Sequence, residues 1–266
     1  MENSRPFLSA SVYFPRRYDL ITDDVESALR ALEAAGFAFA AGGPLAVATS
    51  RALPTIESLA KAGRPCGAAA TVGKAIQLLR RVPADDWGQV FVTGRFPVGG
   101  RREKATAVVC PLWPSSPALT SAHVLFHRPG LLLQERSPPE RAAFAVRAVD
   151  RLVPSFAPVA VFLDVEQPTL SAQFLRAGAL PFLPWAGYLS PGAVRRLGAG
   201  TFRTLPHWLQ WLEAKLGAPG ATAWRQTPGG GLIWVLAEPG LGRGAVPPDA
   251  RPALGPWRSY LRRVVA

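Results

Sequence analysis

The chain has 266 residues, 48% of them hydrophobic and 18% charged, a balance that belongs to a folded globular protein and excludes a disordered one. Thirty Lys and Arg against 18 Asp and Glu leave a net charge of +12, which bears on partners rather than on fold. No apolar run is long enough to span a bilayer and no export signal is visible, so a cytoplasmic chain without membrane insertion is expected, with Cys66 and Cys110 as reduced, buried thiols.

Phe7 to Phe14 alternates as a strand does. A helix should follow, capped by Thr22, with Asp23, Asp24 and Glu26 at its positive end and Val25, Leu29 and Leu32 as its apolar stripe. Gly36 is its natural stop. Phe37 to Thr49 fits one or two short strands broken at Gly42-Gly43-Pro44. Thr55 to Val82 reads as a second helical region split near Gly63 to Gly67, with Val72, Ile76 and Leu79 buried. Gln89 to Phe96, Ala105 to Leu112 and His123 to Gln134 read as an antiparallel meander, the first two strands joined by a hairpin at Val98 to Arg102.

Ser137-Pro138-Pro139-Glu140 is a capping box that opens a helix through Phe144, Ala148 and Leu152. Pro158 to Val165 is apolar throughout, as in a strand buried on both faces. A short helix is expected near Thr169 to Ala177, another from Ser190-Pro191 to Gly198, and a longer one from Thr204 to Gly217. Thr222 to Gln226 and Leu232 to Ala237 flank Pro228 to Gly231 as a hairpin, and a last helix runs through Trp257, Leu261 and Val264. The order of elements predicts an α+β fold with a mixed, largely antiparallel sheet and packed helices. It forms one domain, with position 155 the one place where two lobes could divide.

The residue types that carry chemistry are sparse. Gly67 to Ala75 has five residues between its glycines and Ala75 after Lys74, so it fails both requirements of a phosphate loop and reads as a turn into a helix. His123 and His127 share a strand face but sit roughly 13 Å apart, too far for an easy shared metal, and neither a metal nor a cofactor is expected. Asp164 and Glu166 share a strand face and are the one acidic pair an enzyme could use; the plainer reading is a solvated strand end. No nucleophile elbow is present.

The segment from Trp185 to Ala266 is different. It holds six of the eight tryptophans, and ten Lys or Arg face only Glu213, Glu238 and Asp249. Most of its aromatic rings should fill the core, leaving a few arginine–aromatic pairs at the surface. Arg195, Arg196, Arg203, His207, Trp211 and Arg225 are the candidate partner-binding residues. Forked guanidinium groups and rigid rings suit an acidic protein partner. The same types would also suit nucleic acid, through phosphate neutralisation and base stacking.

The stretch from Trp185-Ala186-Gly187-Tyr188-Leu189 through Gly230 to Val235, Pro247-Pro248-Asp249 and Trp257 to Val264 resembles the immunity proteins of bacterial polymorphic-toxin and type VI secretion systems. Those families share a Trp before a short leucine-bearing segment and small helix, a glycine turn into an apolar strand, and a final helix. The resemblance implies a non-catalytic protein that occludes a toxin. Many such proteins are acidic; the basic charge here implies an acidic toxin surface.

Overall fold

The computed structural model describes residues 8–17, 20–48, 64–83, 88–98, 100–111, 119–127, 137–165, 184–198 and 222–236. Their elements, in chain order, are β1 (Leu8–Pro15), α1 (Ile21–Ala34), β2 (Ala38–Phe39), β3 (Pro44–Ala48), β4 (Arg64–Ala68), α2 (Val72–Leu79), β5 (Gln89–Val98), β6 (Arg101–Cys110), β7 (Leu119–Phe126), α3 (Pro138–Phe156), β8 (Ala160–Val165), β9 (Ala186–Leu189), α4 (Pro191–Gly198), β10 (Thr222–Gln226) and β11 (Leu232–Leu236). All strand pairings among them are antiparallel, and the fold is α+β.

One sheet runs in the order β10-β11-β9-β8-β1-β7-β6-β5-β3-β4, with β2 paired to β5. It continues without a break past position 155, because β1 joins β7 on one side and β8 on the other. Strand alternation sorts the side chains. Val90, Val92, Phe96, Ala107, Val109, Val124 and Phe126 pack in the cluster that holds the apolar stripes of α1, α2 and α3. Phe91, Val108, Cys110 and Leu125 form a separate cluster on the other face. Phe162, 0% exposed, is packed on that other face too, so the strand anticipated at 158–165 is central and buried as its sequence demands.

Several local expectations change. Helix α1 starts at Ile21 with Leu20 as its cap residue, whose side chain has no acceptor to offer; the Asp23 and Asp24 N–H groups donate to the Leu20 carbonyl, and Thr22 lies inside the first turn. Asp24 instead turns back to the strand end, accepting from Arg16 Nε at 2.9 Å and from the Arg17 N–H at 3.2 Å while only 2% exposed. Asp24→Ala removes both of these contacts, and should cost about 2–3 kcal/mol in urea unfolding. An unchanged midpoint would remove this pair from the determinants of stability.

The split near Gly63 to Gly67 is strand β4, an edge that pairs with β3 through a register shift. Strand β7 starts at Leu119, four residues before the expected His123. The hairpin of β5 and β6 is longer than its sequence suggests, with Val98 and Arg101 already paired and Gly100 at φ 81° in the turn. At the start of α3 the Ser137 N–H and hydroxyl both donate to Glu140, at 2.8 and 2.7 Å, as the capping box anticipates. Gly36 has φ 95° immediately after α1, where a side chain would be strained. The helices anticipated at Thr169 to Ala177, Thr204 to Gly217 and around Trp257 lie outside the described residues.

Candidate partner-binding surface

The C-terminal segment divides between core and surface. Trp185 and Trp234 are both fully buried. Trp185 Nε1 donates to the Leu236 carbonyl at 3.0 Å, and Trp234 Nε1 donates to the Pro184 carbonyl at 2.9 Å. The two indoles thereby stitch β11 to the entry of β9. Among the described tryptophans Trp224 differs, 45% exposed on strand β10 at the end of the described sheet.

Arg195 and Arg196 are exposed in the last turn of α4, where cations suit the negative end of a helix. Arg196 Nε also donates to the Gly192 carbonyl at 3.3 Å. Arg225 is committed elsewhere. It sits on the helix-covered face of the sheet and donates to Asp150 of α3 at 2.9 Å, while its neighbour Trp224 points to the other face. Burial raises the Asp150 pKa, and Arg225 opposes that rise. The pair therefore docks β10 on α3, and strand alternation sets Trp224 and Arg225 on opposite faces. Arg203, His207 and Trp211 lie outside the described residues.

Among the described residues, His123, Cys110 and Asp164 are buried in the sheet. His123 is held at both ring nitrogens, Nδ1 to Ser11 Oγ at 2.9 Å and Nε2 to Ser121 Oγ at 3.0 Å, with Tyr13 edge-on at 6.2 Å between ring centroids. Burial pushes its pKa down to about 4. Burial likewise pushes the Cys110 thiol up to about 12, with Ser121 and Gln89 acting weakly against it, so this cysteine is a poor nucleophile. Cys66 is only partly buried and donates to the Leu45 carbonyl at 3.3 Å. Asp164 is not at a solvated strand end: it is 0% exposed, and its Oδ1 accepts the Val165 N–H at 2.7 Å. Glu166 lies outside the described residues. Among the described residues no group of three metal-ligating side chains converges, and no helix is long and apolar enough to cross a membrane.

The phosphate-loop candidate is a strand-to-helix turn, in which Thr71 caps α2 by accepting the Lys74 N–H at 3.2 Å. A groove of about 620 Å³ between α1 and the end of α3 is lined by Arg17, Asp23, Glu26 and Arg30. Its charges compensate within the protein, since Arg30 pairs with Glu26 at 2.7 Å and Arg80 reaches the same carboxylate at 3.6 Å.

One basic constellation comes together only in the fold. Arg95 of β5 stands directly opposite Lys104 of β6, and the His127 N–H at the end of β7 donates to the Lys104 carbonyl. All three side chains are exposed, on the face away from α1 and α3. Arg102, two residues before Lys104, is exposed on that same face. His127 Nε2 lies 2.6 Å from Thr106 Oγ1, and both burial and the Lys104 charge lower its pKa. Glu103 projects to the opposite face, level with Phe96. Like charges directly across a ladder cost the sheet a few tenths of a kcal/mol, roughly 0.2–1 per pair. The signal was present in the alternation of Arg102 and Lys104 around Glu103, but only the register with β5 and β7 makes it a row.

No family model matches this chain, and no curated protein or solved structure does either.

Proposed function

We propose that the protein is a non-catalytic binding protein that occludes an acidic partner protein, as toxin-immunity proteins do. One observation carries the reading. The exposed cations Arg95, Arg102, Lys104, Arg195 and Arg196 take part in no ion pair among the described residues, whereas the nucleophile and acid–base candidates Cys110, His123 and Asp164 are buried and held within the fold. A surface of that kind steers an acidic partner into contact and fixes its register, and the encounter slows as salt is added. A partner of this type would be met in the cytoplasm, where two free thiols are at home.

Affinity capture on the tagged protein, in parallel with and without nuclease treatment, tests the reading. One stoichiometric acidic protein retained after nuclease treatment is the expected result, with an association rate that falls at least tenfold between 50 and 500 mM salt. Capture of nucleic acid alone, lost on nuclease treatment, would replace this function with nucleic-acid binding.

A further inference from the structure

We propose that the row Arg95–Lys104–His127 on β5, β6 and β7 is the docking site for a carboxylate-bearing helix of the acidic partner. The inference rests on the function proposed above and assigns it a location away from the described C-terminal strands β9, β10 and β11. Strands β5 to β7 lie toward one end of the sheet and β10 forms the other end of the described order.

Three features argue for this site. The cations are aligned by the hydrogen-bond register, so their positions are fixed by the sheet rather than by flexible side chains alone. None of Arg95, Arg102 and Lys104 takes part in an ion pair among the described residues, and Glu103 is turned to the other face. The juxtaposition also works against the sheet, since like charges stand directly opposite one another, and a bound anion would relieve the repulsion.

Spacing selects the ligand. Neighbouring strands are about 4.8 Å apart, so the row spans roughly 10 Å. Successive turns of a helix lie about 5.4 Å apart, and acids one turn apart share a face. A helix laid across the strands would bring two or three carboxylates against Arg95, Lys104 and His127, with the Thr106 hydroxyl beside the last. Single-stranded nucleic acid would ask for exposed rings to stack on. Among the described residues the large exposed apolar side chains are Leu20 and Trp224, and neither lies in these three strands.

The test uses the full chain and a fluorescein-labelled helical peptide of four Glu-Ala-Ala-Ala repeats, followed by anisotropy at low salt. Arg95→Gln with Lys104→Gln should weaken binding at least fivefold. Arg195→Gln with Arg196→Gln removes the same charge from α4 and should change it less than twofold. The row variant should also melt about 1–2 °C higher, because the repulsion is gone; this separates lost binding from lost folding. If the α4 variant is the one that weakens the complex, or if both weaken it equally, the row is not the site while the proposed function stands. A peptide that fails to bind the unmodified chain would sink the function and this inference together. Ready displacement of the peptide by a single-stranded oligonucleotide of equal charge would overturn the choice of an acidic helix.

Discussion

Gly187→Ala is expected to destabilise the protein by about 3 kcal/mol, a fall of roughly 6–12 °C in Tm. Gly187 sits on β9 between Phe162 of β8 and Trp234 of β11. The Trp234 indole lies over it, so a Cβ there would collide with the ring and would come within 2.8 Å of the Val161 carbonyl oxygen. The ring cannot swing away freely, because its Nε1 is tied to the Pro184 carbonyl and it packs on Phe162 at 6.0 Å between centroids. Trp234→Ala alone should cost about 3–5 kcal/mol. Combining the two should cost clearly less than their sum, since the collision has then been removed. Additive losses in calorimetry would show that the indole does not set the need for glycine at this position.

Acidification should cost the protein on the order of 3 kcal/mol through His123 alone. In the folded state its pKa is about 4, against an ordinary value of 6.5, because burial disfavours the imidazolium. Above pH 6.5 neither state binds the proton and stability is complete. Between 6.5 and 4 the unfolded chain takes up a proton that the folded chain refuses, so stability falls with pH. Below about 4 both states are protonated and the loss is fully incurred. Urea unfolding at pH 7.5 and 4.5, compared between the unmodified chain and His123→Gln, isolates this contribution from that of the carboxylates. The unmodified chain should lose more stability over that interval than the variant; equal losses would mean that His123 is already protonated in the fold.

Binary pattern made most of the described fold legible in the sequence. The alternation at 7–14, the stripe of Val25, Leu29 and Leu32, and the unbroken apolar run at 158–165 each determine burial locally, and each element forms where that pattern lies. Features that depend on long-range pairing were not legible. Arg64 to Ala68 contains Pro65 and Gly67, poor strand formers, and becomes a strand because the β3 edge supplies partners. The polar pattern of Ser9, Ser11, Ser121 and His123 marks a solvated face when each strand is taken separately. Only the shared register shows Ser11, His123 and Ser121 satisfying one another inside the protein. The candidate site follows the same division. Linear clustering drew attention to Arg225, which the fold commits to Asp150, whereas the row through Arg95, Lys104 and His127 is assembled from three strands.

The position of β1 bears on how the protein is made. Its two neighbours are β7 and β8, and the bond from Ser11 to His123 spans 112 residues of sequence. At about 5–20 residues per second, a ribosome needs on the order of ten seconds to supply those partners after β1 has been synthesised. For that interval Leu8 to Phe14 is a hydrophobic strand with both edges unsatisfied, the kind of segment that chaperones shield and that aggregates when they do not.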